Sequence, residues 1–182
     1  LPNCSYIESD AFFSTALVSV SLPNCSYVGY AAFEKCTGLK NIDLPLCSYI
    51  GKYAFFSCSK LASINLPNCT FISEYAFKYC YSLKSINLPL CSYVGWSAFE
   101  NCTNLSTVRL PKVTYISGAA FTNTRIETLY MNQITSVPSG GDPFGTAFSY
   151  LKSIIIPRSL INDFTINSIW SKYSSYYVCD GE

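Results

Sequence analysis

The chain has 182 residues, 49% of them hydrophobic and only 13% charged, enough apolar mass for one ordinary domain or one short solenoid with a continuous core. Twelve basic against eleven acidic residues leave a formal net charge of +1, and no run of five basic residues occurs, which argues against nucleic acid or an anionic membrane surface as partner. Histidine is absent, removing the commonest general base and metal ligand, and no apolar stretch approaches the roughly 20 residues that span a bilayer.

From the first residue onward the chain is periodic. Leu-Pro stands at positions 1, 22, 44, 66, 88 and 110, spaced 22 residues apart from position 22 on, with Ile156-Pro157 as a late variant. Ala-Phe falls in step at 11–12, 32–33, 54–55, 76–77, 98–99 and 120–121. Residue 1 enters in mid-repeat, with no charged segment and apolar run of a signal peptide before it. We therefore expect the natural protein to continue upstream, and the first coil to expose the edges of Phe12, Leu17 and Val20.

The unit Leu39-Lys-Asn-Ile42-Asp-Leu44-Pro-Leu-Cys47 reads L-x-x-L-x-L-x-x-C, the core pattern of a leucine-rich repeat. Leu61, Ile64, Leu66 and Cys69 repeat it, as do Leu83, Ile86, Leu88 and Cys91. Leu105, Val108 and Leu110 follow, then Ile126, Leu129 and Met131, and finally Leu151, Ile154 and Ile156. Alternation of Ile42 and Leu44 about Asp43 predicts a short strand, which the following proline ends because it has no N–H for the ladder. The second half of each unit, from Tyr49-Ile50-Gly51 through Ala54-Phe55 to Cys58, must bring the chain back to the next strand. No coil can bury its apolar face alone, so the array is stable only collectively.

Both halves of this unit, including Ile-Gly-x-x-Ala-Phe-x-x-Cys, resemble the BspA-like leucine-rich repeats of bacterial surface proteins. The resemblance covers roughly residues 1–157. It implies an α/β repeat fold: a right-handed solenoid with a parallel sheet on its concave face, short helical or irregular return segments, and a C-terminal helical cap. We divide the chain into an array of about seven coils over 1–157, the first incomplete, and a cap over 158–182. The resemblance also implies an extracellular or cell-surface location.

Towards the end the pattern drifts. Pro138-Ser-Gly-Gly-Asp-Pro143 expands a return segment by two residues with turn formers and is expected to protrude as a loop. In the tail, Ser159 is placed to cap a helix whose Leu160, Ile161 and Phe164 have helical spacing.

Ten cysteines run through the chain. Cys25, Cys36, Cys47, Cys58, Cys69, Cys80, Cys91 and Cys102 are spaced 11 residues apart, two per coil, with Cys4 opening the first column and Cys179 outside the pattern. Disulfides are one reading, since stacked coils bring equivalent residues within bridging range, but side chains in register on parallel strands point the same way. Metal binding is another, without any Cys-x-x-Cys to support it. We read the thiols as small buried hydrophobes, because Val113 takes one of the slots, and expect no disulfides, no metal and no cofactor.

A solenoid binds through columns of side chains. Outward positions of the strand face are mostly small and polar until Arg109, Glu127, Tyr130 and Ile155, so the candidate ligand-binding residues are Asn65, Asn87, Arg109, Glu127 and Tyr130, towards the C-terminal coils. Tyr6, Tyr27, Tyr49, Phe71, Tyr93 and Tyr115 form a second column, beside aliphatic residues with the stronger claim on the core. We assign those rings a structural stacking role, with sugar or peptide binding as the alternative. Catalytic constellations are lacking: Ser139-Gly140-Gly141-Asp142 has no following lysine, and no carboxylates are suitably paired. The expected function is non-catalytic, mediating adhesion or protein interaction with a protein or glycan on a host or neighbouring cell. The alternatives are a glycan-binding module or a passive spacer of a larger surface protein.

Overall fold

In the computed structural model, which describes residues 1–146 and 148–181, the chain winds as a parallel β-solenoid of about eight turns. Its front is formed by the strands expected from the repeat. Ser19–Ser21, Asn41–Asp43 and Ser63–Asn65 form one sheet, and Ser85–Asn87, Thr107–Arg109, Thr128–Tyr130 and Ser153–Ile156 form another. Register follows the repeat, aligning Val20, Ile42 and Ile64 in one row and Ile86, Val108, Leu129 and Ile154 in another. Ile42 turns inward while Asn41 and Asp43 stay exposed, the alternation that a half-buried strand requires.

The return path adds a second parallel sheet. Tyr6–Ile7, Tyr27–Val28, Tyr49–Ile50, Phe71–Ile72, Tyr93–Val94, Tyr115–Ile116 and Ser139–Gly140 pair in sequence order. In the five strands from Tyr27–Val28 to Tyr115–Ile116 the aliphatic residue is buried and the aromatic one half-buried. Beyond this sheet the chain turns through two left-handed residues per coil, for example Tyr53 at φ 59° and Ser57 at φ 59°. Each such residue costs roughly 1–2 kcal/mol, offset by coil-to-coil backbone bonds. Ala31, Phe33 and Lys35 donate to the carbonyls of Lys52, Ala54 and Phe56 at 2.9, 2.7 and 2.8 Å. Gly51 fits because a Cβ there would lie 2.6 Å from the Gly29 carbonyl oxygen.

Between the front strands and the return-side sheet lies one continuous core. Phe33, Phe55, Phe77 and Phe99 are fully buried and stack at centroid distances of 5.1–5.2 Å, flanked by columns of Ala, Leu, Ile and Cys. Each large apolar side chain so buried contributes about 1.5–3 kcal/mol. In the first coil Phe12, Leu17 and Val20 are half-buried, whereas their counterparts Phe33, Leu39 and Ile42 are buried.

Three details of the C-terminal end depart from the sequence expectation. Pro138–Pro143 does not protrude: Ser139–Gly140 is the last strand of the return-side sheet, paired with Tyr115–Ile116. Gly140, at φ +124°, presses so closely on the Ile116 carbonyl that a side chain has no room. Ser159 caps no helix, because Arg158–Leu160 form a 3-10 turn that runs into the helix Ile161–Ile166 without a side-chain cap. The tail is also more than helical. A second 3-10 segment, Ser171–Tyr176, leads to the strand Tyr177–Cys179, which pairs with Ser153–Ile156 and extends the front sheet. This last strand buries Cys179, which stands outside both cysteine columns.

Candidate functional site

Asn87, Arg109 and Tyr130 occupy one register row across three adjacent front strands, continued by Ile155 and Val178. The Arg109 guanidinium lies 3.7 Å from the centre of the Tyr130 ring, a stacked cation–π arrangement on an outward face. Glu127, just before its strand, is bound by Lys152 of the next coil at 2.9 Å. Asn65 stands apart on the three-stranded sheet, where it donates to Asp43 at 2.8 Å and lines a shallow groove of about 530 Å³ with Asn41 and Ser63. Three of the five candidate residues thus form a row, Glu127 flanks it, and Asn65 does not belong to it.

The aromatic column is one stack. Its rings follow at 4.3, 4.7, 5.2, 4.2 and 4.8 Å with interplanar angles of at most 13°, so most ring faces are covered by neighbouring rings. Such contacts tie successive coils together.

All ten thiols are free, and the central columns hold them by hydrogen bonds as well as packing. Cys25, Cys47 and Cys91 each donate to the carbonyl two residues on, at 3.2 Å. Cys58, Cys80 and Cys102 reach the phenylalanine carbonyls of the preceding coil, Phe33, Phe55 and Phe77, at 3.0–3.2 Å. Burial pushes Cys47, Cys69 and Cys91 up to about 12. A reactive cysteine needs the opposite shift, so these thiols are poor nucleophiles. Among the described residues no group of three or more Cys, Asp or Glu is placed to hold a metal ion.

The best-built polar cluster joins tail to array. The Asp142 carboxylate accepts from Lys172 Nζ, Tyr173 Oη and the backbone N–H groups of Phe144 and Gly145, the last two at 3.2 and 3.1 Å. Burial raises its pKa, but the bonds from Lys172 and Tyr173 outweigh that and hold the carboxyl below its usual range. Burial, reinforced by Asp142, pushes the Tyr173 hydroxyl well up. Every acceptor atom here is engaged by the fold, which makes the cluster a clasp.

Sequence reasoning misses a cleft of about 430 Å³ beside the front strands, lined by lysines from three coils. Its residues come from different repeat positions, so no single column displays it.

Comparison with known proteins places this geometry. The family model described as BspA type Leucine rich repeat region matches in six copies, over residues 5–127 and 70–171. A leucine rich cell surface protein from Faecalibacterium prausnitzii has a similar structure, with 31% identity and a TM-score of 0.72 over 84% of this chain and 42% of that one. The T. pallidum Leucine Rich Repeat protein aligns with a TM-score of 0.67 and 23% identity, over 96% of this chain and 89% of its own. The chain thus spans less than half the length of the first of these relatives. No curated protein matches it.

Proposed function

The chain belongs to the BspA-type leucine-rich-repeat family, and from that premise we propose that it is a non-catalytic module of a bacterial surface protein that binds another protein through the C-terminal part of its front sheet. The observation that carries this reading is the Arg109–Tyr130 stack, set in a row with Asn87 and Ile155. Arginine and tyrosine are enriched among the residues that dominate protein interfaces, and a prestacked guanidinium loses little freedom on docking. Surface location is supported by the cell surface protein from Faecalibacterium prausnitzii. No helix among the described residues is long and apolar enough to cross a membrane.

The test is binding of the chain to a panel of purified host extracellular-matrix proteins, in parallel with a glycan array. Arg109→Ala and Tyr130→Ala should each weaken the protein complex about tenfold or more, in line with interface hot spots. Binding that ignores both substitutions moves the interface elsewhere. Binding to glycans alone favours the glycan-binding module, and binding to neither panel favours the spacer.

A further inference from the structure

Charge pairing singles out one place on this surface. Lys35, Lys52, Lys78, Lys152 and Lys172 each meet a carboxylate, and Arg109 and Arg125 each lie over a tyrosine ring. Lys40, Lys60, Lys84 and Lys112 meet neither among the described residues, and the first three converge on the 430 Å³ cleft. Exposed lysines without partners are ordinary one at a time. Three lining one recess repel one another, and no acidic residue lines the cleft. The nearest carboxylate in the sequence of that strand, Asp43, lines the other groove and is engaged by Asn65.

The recess itself has a structural cause. Lys40, Ala62 and Lys84 occupy one repeat position in three successive coils, and Ala62 leaves a notch between two long side chains. Twice the ordinary strand spacing puts the backbones of Lys40 and Lys84 ~10 Å apart. Coil-to-coil bonds run from Lys40 N–H to Val18, from Ala62 to Lys40, from Ser106 to Lys84 and from Glu127 to Ser106, at 2.8–3.1 Å. The step from Lys84 to Ala62 is the one absent from this series, and it coincides with the interruption of the front sheet between Ser63–Asn65 and Ser85–Asn87.

Polar groups along the rim complete the chemistry. Ser82 Oγ donates to the Ser59 carbonyl at 2.8 Å and Asn104 Nδ2 to the Tyr81 carbonyl at 2.7 Å, leaving Ser82 Oγ and Asn104 Oδ1 as acceptors. Asn41 Oδ1 accepts from Ser63 at 2.7 Å, leaving Asn41 Nδ2 as a donor. We propose that this cleft binds an acidic saccharide, its carboxylate or sulfate groups held by Lys40, Lys60 and Lys84 and its hydroxyls donating to Ser82 and Asn104. A sulfate ion has no donors for those two acceptors. A nucleic acid strand requires stacking rings, and none lines the cleft. An acidic peptide gains most of its affinity from apolar anchors beside its charges, and the cleft offers only Ala62 and lysine stems to hold one. This site is separate from the Arg109–Tyr130 row, so either can fail alone.

Titration calorimetry of the whole chain with four probes tests the proposal: a heparin hexasaccharide, a hyaluronan hexasaccharide, a neutral dextran hexasaccharide and a deca-glutamate peptide. At least one acidic saccharide should bind, with dextran silent and the peptide at least tenfold weaker. Replacing Lys40, Lys60 and Lys84 together by Gln should weaken binding at least tenfold. Replacing Lys35, Lys52 and Lys112 by Gln removes the same charge elsewhere and should change it less than twofold. Ala62→Leu, which fills the notch without touching a charge, should also weaken it severalfold, with thermal melts confirming that each variant folds. Equal loss in both triple variants overturns the proposal in favour of non-specific charge attraction. Equal or tighter binding of the peptide overturns it in favour of a peptide site, and no binding by either acidic saccharide removes it altogether.

Discussion

The central coils and the C-terminal end solve the same problem, burying one face of a coil, by opposite means. In the centre, one packing solution is copied: Phe55, Phe77 and Phe99 lie parallel within 5°, and thiols fill the slots between columns. At the end, Phe121–Phe144 is already tilted by 38°, and Tyr173 and Trp170 meet their neighbours edge-on. The Trp170 indole N–H donates to the Pro138 carbonyl at 3.1 Å, and the Asp142 clasp fixes the tail. Repetition makes the middle uniform and indifferent to which coil it is. Closing the array takes residues that occur once.

Extremes of pH should separate the two regions. A thiol whose folded pKa is raised stays neutral in the fold but ionises in the unfolded chain, so its contribution is intact below the ordinary thiol value of 9.0 and is lost as pH rises towards about 12. Each such thiol costs on the order of 1 kcal/mol per pH unit over that window. With these thiols in successive coils, urea midpoints should fall steeply between about pH 9 and 11, the largest of the expected effects. Replacing Cys47, Cys69 and Cys91 by Val should flatten that limb. An unchanged slope contradicts the assignment.

Truncation of one aromatic in each region comes next. Phe77→Ala removes a ring from the middle of the stack, and Trp170→Ala removes the ring under the tail, each at about 3–5 kcal/mol. Their signatures differ. Phe77→Ala should lower the single unfolding transition of the whole array, whereas Trp170→Ala should free residues 158–181 first, visible as hydrogen exchange confined to the tail. Identical exchange patterns would show that the two regions form one cooperative unit.

Asp142→Asn should cost about 1–2 kcal/mol, the range for charge-assisted hydrogen bonds discounted for the partial exposure of Asp142 and Lys172. Because the folded carboxyl titrates below its ordinary value of 3.8, its contribution is present above about pH 4 and is lost as pH falls. The wild-type chain should therefore lose tail protection in acid, and Asp142→Asn should lose that acid dependence. An effect of similar or smaller size is expected from Phe71→Leu, which interrupts the half-buried stack between Tyr49 and Tyr93 at about 0.5–1.5 kcal/mol for each of two pairs, offset in part by the contacts that leucine keeps.

Much of the middle is legible in the sequence, because a 22-residue period fixes register by itself. Once Ile42 is known to face inward, Ile64, Ile86 and Val108 must follow, and the row Asn87–Arg109–Tyr130 comes with them. The return-side sheet is harder to see, since two-residue strands such as Tyr49–Ile50 are too short to display alternation. Gly140 and Gly141 mislead for a physical reason: glycine marks turns, yet here it lets one coil lie against the backbone of the last. Cysteine is legible as filler but not as donor, because sequence carries no sign that Sγ reaches a carbonyl of the previous coil. The lysine cleft draws on several repeat positions and on which charges remain unpaired, neither of which a column displays.

The uniform middle is thus a scaffold whose thiols pack and donate. Its most direct test is alkylation of the chain with iodoacetamide, without reductant, before and after unfolding. The account predicts that all ten cysteines are modified in denaturant, while in the folded chain Cys4, the half-buried one, reacts first and Cys25 to Cys102 stay protected. Cysteines of the middle coils left unmodified in denaturant until reductant is added, or modified readily while the chain is folded, would contradict it.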